Sequence, residues 1–287
     1  MLDQAESLRK LAKGEPLVNN KRKTKIITVT SGKGGVGKSN FVVNLSIALT
    51  QMGKSVLIFD ADIGMGNDDV LMGIYPKYNV LDLINGTLSI EEVIVEGPGG
   101  VKLLPGGSGL NNIEDLQQNQ REMFLRKIEM LEGFDYIFID TGAGISRSVL
   151  AFIACSDEFI LVTTPEPTSL TDGYSLLKAV NHFKIKDKGN IVVNRIINKT
   201  EADNTFTKFK TAVNRFLSIN VNYLGYIYED RKLLMAVREQ KPFVIANPNC
   251  DAARCIKSIG EKLLGEDNEI KGVGAKGLFK KLFSIFN

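Results

Sequence analysis

Ser31-Gly32-Lys33-Gly34-Gly35-Val36-Gly37-Lys38-Ser39-Asn40 decides the fold of this chain. It follows the apolar run Ile26-Ile27-Thr28-Val29-Thr30 and precedes Phe41 to Thr50, whose apolar residues recur at helical spacing. From Gly32 to Ser39 the spacing fits the phosphate-loop pattern G-x-x-x-x-G-K-[ST], in the strand–loop–helix context that the pattern requires. Glycines at 32, 34, 35 and 37 let successive backbone N–H groups, those of Val36 and Asn40 included, turn inward around an anion, and the helix that follows adds the positive end of its dipole. Lys38 then reaches the β- and γ-phosphates and Ser39 binds Mg²⁺, so ATP or ADP with Mg²⁺ is the expected ligand. A plain Gly-rich turn is the competing reading, and the flanking pattern opposes it.

Outward from this loop, further apolar runs alternate with helical patterns: Val56 to Phe59, Val101 to Leu104, Tyr136 to Ile139, Phe159 to Val162 and Ile191 to Val193. They lack polar alternation, as strands do when crossover helices cover both faces. The expected fold is α/β, a doubly wound, mostly parallel sheet of the P-loop NTPase kind. Ligands of such sheets bind beyond the carboxyl ends of the strands. Those ends carry Asp60 and Asp62 after the second run, Asp140 after Tyr136 to Ile139, and Asn194-Arg195 after Ile191 to Val193. Asn111 to Glu132 reads as a long amphipathic helix used for packing or partner contact, and Ile145 to Ala154 as the helix after Asp140.

Composition narrows the chemistry. At 287 residues there is room for one sizeable α/β domain. No run of about 18 apolar residues occurs and the N-terminus has no signal-peptide core, so the expectation is a cytoplasmic protein without a spanning helix. Cys155, Cys250 and Cys255 form no C-x-x-C pair, which opposes an iron–sulfur carrier and reads as packing thiols. His182 is the only histidine, which excludes multi-histidine metal sites, and its place at the surface of a helix over 169–184 opposes Ser-His-Asp or Cys-His catalysis. The net charge of +3 divides into +4 over residues 1–25, +4 over 271–287 and −5 between. A mildly acidic body with basic ends opposes a broad DNA-binding face, so no nucleic acid is expected, and suits an anionic membrane or an acidic partner.

The second lysine of the loop, Lys33, gives K-G-G-V-G-K-S, which resembles the deviant Walker A motif of the MinD/ParA class of ATPases, the MinD-like members of the SIMIBI class. The resemblance extends over nearly the whole of 25–287. It implies ATP hydrolysis coupled to homodimerisation, with Lys33 crossing to the partner's phosphates as an arginine finger does in trans. Asp60-Ala61-Asp62-Ile63-Gly64-Met65-Gly66-Asn67 resembles the class's switch I: Asp62 orients the attacking water and Asp60 lies nearer the Mg²⁺ shell. Asp140 is placed as the Walker B carboxylate, also toward Mg²⁺, and Thr141 to Gly144 as switch II. Asn194 resembles the adenine-reading position, with the Arg195 guanidinium stacking on the ring. Gly225 to Arg231, which contains Asp230, aligns with the adenine-pocket loop, although Tyr228 stands where a proline is usual. An N-K-x-D signature is absent, which favours ATP over GTP.

The two ends narrow the resemblance. Leu278, Phe279, Leu282, Phe283, Ile285 and Phe286 make one broad apolar helical face with Lys276, Lys280 and Lys281 at its border. This has the composition of an interfacial membrane anchor, after a Gly-rich linker from residue 265; a helix docked on its own domain is the alternative. It resembles the membrane-targeting tail of MinD and of the FlhG (YlxH) family of flagellar regulators. At the other end, Leu2, Ala5, Leu8 and Leu11 recur at helical spacing, and Asp3-Gln4-Ala5-x-x-Leu8-Arg9 resembles the FlhG element that stimulates the FlhF GTPase. The expected organisation is an activator helix and linker over 1–24, an ATPase domain over 25–264, and a linker with a membrane-targeting helix over 265–287. The FlhG resemblance implies an ATPase that regulates flagellar placement and number, cycling to the inner face of the cell membrane in its ATP state. The partners it implies are FlhF, the flagellar C-ring switch proteins and anionic lipid. A MinD-type division-site ATPase and a ParA-like DNA-segregation ATPase are the alternatives.

Overall fold

The computed structural model describes residues 24–62, 66–86, 88–107, 118–128, 131, 133–265 and 274–285. Eight strands are present among them: β1 (Lys25–Ser31), β2 (Val56–Ala61), β3 (Val95–Glu96), β4 (Lys102–Leu104), β5 (Tyr136–Ala143), β6 (Glu158–Thr163), β7 (Lys188–Ile196) and β8 (Asn220–Tyr228). They form one sheet in the order β3-β4-β2-β5-β1-β6-β7-β8, parallel throughout except for the β3–β4 pair. β1 lies between β5 and β6, so the chain winds one way through β2 and the other way through β6, and the crevice at that reversal is where the phosphate loop emerges.

The helices are α1 (Lys38–Gln51), α2 (Asp68–Met72), α3 (Val80–Asn85), α4 (Ile90–Val93), α5 (Gln118–Ile128), α6 (Arg147–Cys155), α7 (Pro167–His182), α8 (Lys199–Phe216), α9 (Arg231–Arg238), α10 (Phe243–Ala246), α11 (Asp251–Gly265) and α12 (Gly274–Ile285). Every residue of β1 and β2 is buried, which explains their continuous apolar reading. Helix α1 is buried on almost every side, because the sheet covers one face and α11 another.

Two sequence expectations change. Gly225 to Tyr228, read as loop, completes β8. That edge strand intersperses buried residues with exposed and half-buried ones, so it lacks the continuous apolar run that marks the inner strands. Of the helix expected over 111–132, Gln118–Ile128 is described as helix, and residues 111–117, 129, 130 and 132 lie outside the described residues. The second change concerns the C-terminal helix. Ala275, Leu278, Phe279, Leu282 and Phe283 are buried in the body, so the apolar face read as a membrane anchor is docked in this conformation. Phe279 packs edge-to-face on Phe59 of β2 and Phe124 of α5, at centroid distances of 5.6 and 4.8 Å, and Phe283 packs on Phe124 at 5.9 Å. The reason is physical: a helix with so wide an apolar face is driven onto any apolar groove within reach, and α5 with α6 supplies one. The side chains of Ile285 and Phe286 lie outside the described residues, as do Asp3, Gln4, Ala5, Leu8 and Arg9.

Candidate nucleotide and magnesium site

The phosphate loop crosses the carboxyl end of β1 with two glycines closely packed and two others facing open space, Gly35 of the latter in a left-handed conformation at φ 77°. A Cβ on Gly32 would stand 2.2 Å from the Asp172 carbonyl carbon of α7, and one on Gly37, at φ 91°, would stand 2.4 Å from Asn194 Nδ2. At Gly34 and Gly35 a Cβ would meet nothing within 4 Å, because the loop there faces an open cleft of about 900 Å³. Ser31, Lys38, Ser39 and Asn40 line this cleft from the loop, Asp62 from just after β2, Thr141 and Gly142 from the end of β5, and Arg195 from β7. Two glycines therefore lock the loop while two leave its backbone open to a ligand, which is the cradle that a polyphosphate requires.

Lys38 does not point into open solvent. Its Nζ donates to Asp140 Oδ1 at 2.7 Å, and both side chains are nearly inaccessible. Burial pulls the ammonium's pKa down, but the pull of Asp140 and of the charges of Asp68 and Asp62 outweighs it, so Lys38 stays above the ordinary lysine value. Asp60, beside this pair, has its carboxyl raised to about 7, first by burial and then by Asp140, against hydrogen bonds from the Asp62 and Asp68 backbone N–H groups. Asp60 and Asp140 thus lie beneath the cleft floor, and Asp60 also borders a smaller polar cavity of about 280 Å³ lined by Asp69, Lys77 and Asn79. Asp62 lines the cleft itself, its pKa raised mainly by burial.

Lys33 is held within its own subunit. Its Nζ donates to Glu166 Oε2 at 3.0 Å and to Thr168 Oγ1 at 3.1 Å, with its side chain 41% exposed. Asn194 is 6% exposed and has both amide functions engaged: Nδ2 donates to the Val36 carbonyl at 2.7 Å and Oδ1 accepts from the Arg195 N–H at 2.9 Å. It is a strut from β7 to the phosphate loop, and a base edge would have to take over one of those bonds. Arg195, in a left-handed conformation at φ 58°, lies where the main cleft meets an adjoining pocket lined by Phe41, Tyr228, Asp230 and Leu233. Asp230 caps α9 through a hydrogen bond from the Lys232 N–H at 2.8 Å.

Sequence reasoning missed three participants. Glu166 and Thr168 give no signal until the fold brings the start of α7 beside the loop. Asp68 reads as an ordinary acidic residue at a helix start, and only the fold shows it entirely buried beside Asp60 and Asp140. Cys155 and Cys255 have thiols pushed up to about 11, chiefly by burial, in keeping with packing roles.

A family described as an AAA domain matches residues 24–193. The antiactivator FleN of Pseudomonas aeruginosa is 36% identical over 239 residues, covering 83% of this chain and 85% of that protein. The flagellum site-determining protein YlxH of Helicobacter pylori is 35% identical over 283 residues, 96% of each. The chain belongs to the MinD/ParA family of P-loop ATPases. Among solved structures, the septum site-determining protein MinD of Pyrococcus horikoshii, complexed with Mg-ADP, superposes with a TM-score of 0.67 at 26% identity, covering 86% of this chain and 99% of that one. As a member of this family the chain hydrolyses ATP. The site fits a magnesium–nucleotide: an open glycine cradle, Ser39 on the cleft wall, and the buried carboxylates Asp60, Asp68 and Asp140, of which Asp68 has no donor among the described residues. Ser39 would hold the ion with Asp60 and Asp140, and the bound ion would neutralise phosphate charge.

Proposed function

We propose that this MinD/ParA-family ATPase regulates flagellar placement and number by cycling between a closed, cytoplasmic monomer and an ATP-bound dimer attached to the inner face of the cell membrane. Its similarity to FleN and YlxH supports the flagellar role. The observation that carries the cycle is the docked α12. Phe279 packs on Phe59, one residue before Asp60 and three before Asp62, and Phe59 packs at 6.0 Å on Phe152, which lines the nucleotide cleft. The cleft wall and the tail's seat therefore share an aromatic cluster, and a rearrangement of the switches around nucleotide would disturb the tail's contacts.

The dimer reading has its own support. Val70 on the main cleft and Leu234 on the adjoining pocket are exposed apolar side chains, a surface suited to a second copy. Closing two copies over it would bring Lys33 to the partner's phosphates, where it would exchange Glu166 for a more highly charged acceptor. Asp62, which lines the cleft, would orient the attacking water, and Lys38 would turn from Asp140 to the phosphates. Among the described residues no helix is long and apolar enough to cross a membrane, so attachment would be through α12 lying in the interface. A single short helix binds lipid reversibly, and two in one dimer add through effective concentration. The N-terminal D-Q-A-x-x-L-R element would stimulate FlhF, and the C-ring switch proteins would be further partners.

Flotation of the full chain on anionic liposomes tests this, without nucleotide, with ADP and with a non-hydrolysable ATP analogue. Binding that needs the analogue, and that Leu282→Asp abolishes, supports the cycle; equal binding in all three conditions rejects the coupling.

A further inference from the structure

Asp68 opens α2 directly after switch I and is fully buried, and no donor among the described residues reaches either of its carboxylate oxygens. An isolated buried carboxyl is costly, and folded chains keep one where something balances it. The charges that act on it are Asp140, Asp60, Lys38 and Asp69, and the one ammonium among them, Lys38, is already bonded to Asp140. Its backbone N–H donates to Asp60, which ties the two acids together. No three carboxylates among the described residues converge closely enough to hold an ion directly. A hydrated divalent cation fits this arrangement: Mg²⁺ keeps several of its waters, and those waters are donors for acceptors that have none.

We propose that Asp68 is a positioning residue of the magnesium site, accepting hydrogen bonds from metal-bound water beside Asp60 and Asp140. The inference rests on the nucleotide reading of the cleft. It explains why a carboxyl without a protein partner occupies a position that an apolar residue would fill at lower cost. Asp68 thereby trades stability of the nucleotide-free chain for hold on the ion, since outer-shell carboxylates orient what the inner shell binds.

The test is thermal melting of the full chain with Asp68→Asn and Asp68→Leu, first in EDTA without nucleotide, then with ADP at rising Mg²⁺. ADP binding in EDTA is followed separately with a fluorescent analogue. Both variants are expected to melt at or above the wild-type temperature without nucleotide and to bind ADP normally in EDTA. They should need about ten- to hundredfold more Mg²⁺ for half of the ADP-dependent stabilisation, the range for loss of an outer-shell partner. An unchanged Mg²⁺ midpoint in both variants overturns the proposal, as does a lowered melting temperature without a shifted midpoint, which marks a purely structural residue. A wild-type chain that fails to bind ADP at all overturns the nucleotide reading along with it.

Discussion

Phe124→Ala changes the seat of the C-terminal helix and leaves every residue of that helix in place. Phe124 is fully buried on α5 and meets Phe279 and Phe283 edge-to-face at 4.8 and 5.9 Å. Such aromatic pairs contribute about 0.5–1.5 kcal/mol each beyond their buried area. With part of the apolar area that Phe279 and Phe283 lose, docking weakens by about 2–3 kcal/mol, or roughly 30- to 150-fold in the docked-to-free ratio. Hydrogen exchange over residues 274–283 reads that ratio directly, and liposome flotation without nucleotide reads its consequence. The variant should exchange faster in this segment than the wild type and bind anionic lipid without an ATP analogue. Unchanged protection of 274–283 would refute the packing argument. Faster exchange with no gain in lipid binding would refute the assignment of this face to lipid.

Lys38→Ala leaves Asp140 buried without its cation and should lower nucleotide-free stability by about 3–5 kcal/mol in urea unfolding, as well as abolishing ATP binding. Gly32→Ala drives a methyl into the α7 backbone and should yield a strongly destabilised or insoluble chain, whereas Gly34→Ala should keep the wild-type melting temperature and lose nucleotide affinity, since only its ligand side is open. Asp60, raised from the usual 3.8 to about 7, keeps more protons in the folded chain than in the unfolded one between those values. Its contribution to nucleotide-free stability therefore falls as pH rises through that window. The melting-temperature gap between Asp60→Asn and wild type should widen from pH 5 to pH 8, and a flat gap would remove the assignment.

The parallel sheet and the phosphate loop were legible because each rests on a local pattern: continuous apolar strands buried on both faces, and glycines at fixed spacing before a helix. β8 was not, since that edge strand intersperses buried residues with exposed and half-buried ones and its Gly225-Tyr226 resembles a turn. Asp60, Asp62 and Asp140 could be located from strand ends, but their depth could not, because burial under Lys38 depends on three separate strands meeting. The same holds for Asn194. Its position is written in the sequence, while its engagement with the Val36 carbonyl depends on a neighbour 158 residues away. The tail is the sharpest case. Its composition is the same for a helix facing lipid and a helix facing a groove, and only the facing surface of α5 and α6 decides between them.

The contact of Phe59 with both Phe152 and Phe279 bears on how such a protein can evolve. Phe59 serves the cleft wall through one edge and the tail through the other, so substitution there is tested by selection on two traits together. A descendant that dropped the tail would uncover Phe59 and Phe124 at once, leaving a raw aromatic surface that invites aggregation. Loss of the helix must then be preceded or matched by polar replacements on α5 and α6, which makes the tail easy to keep and hard to discard.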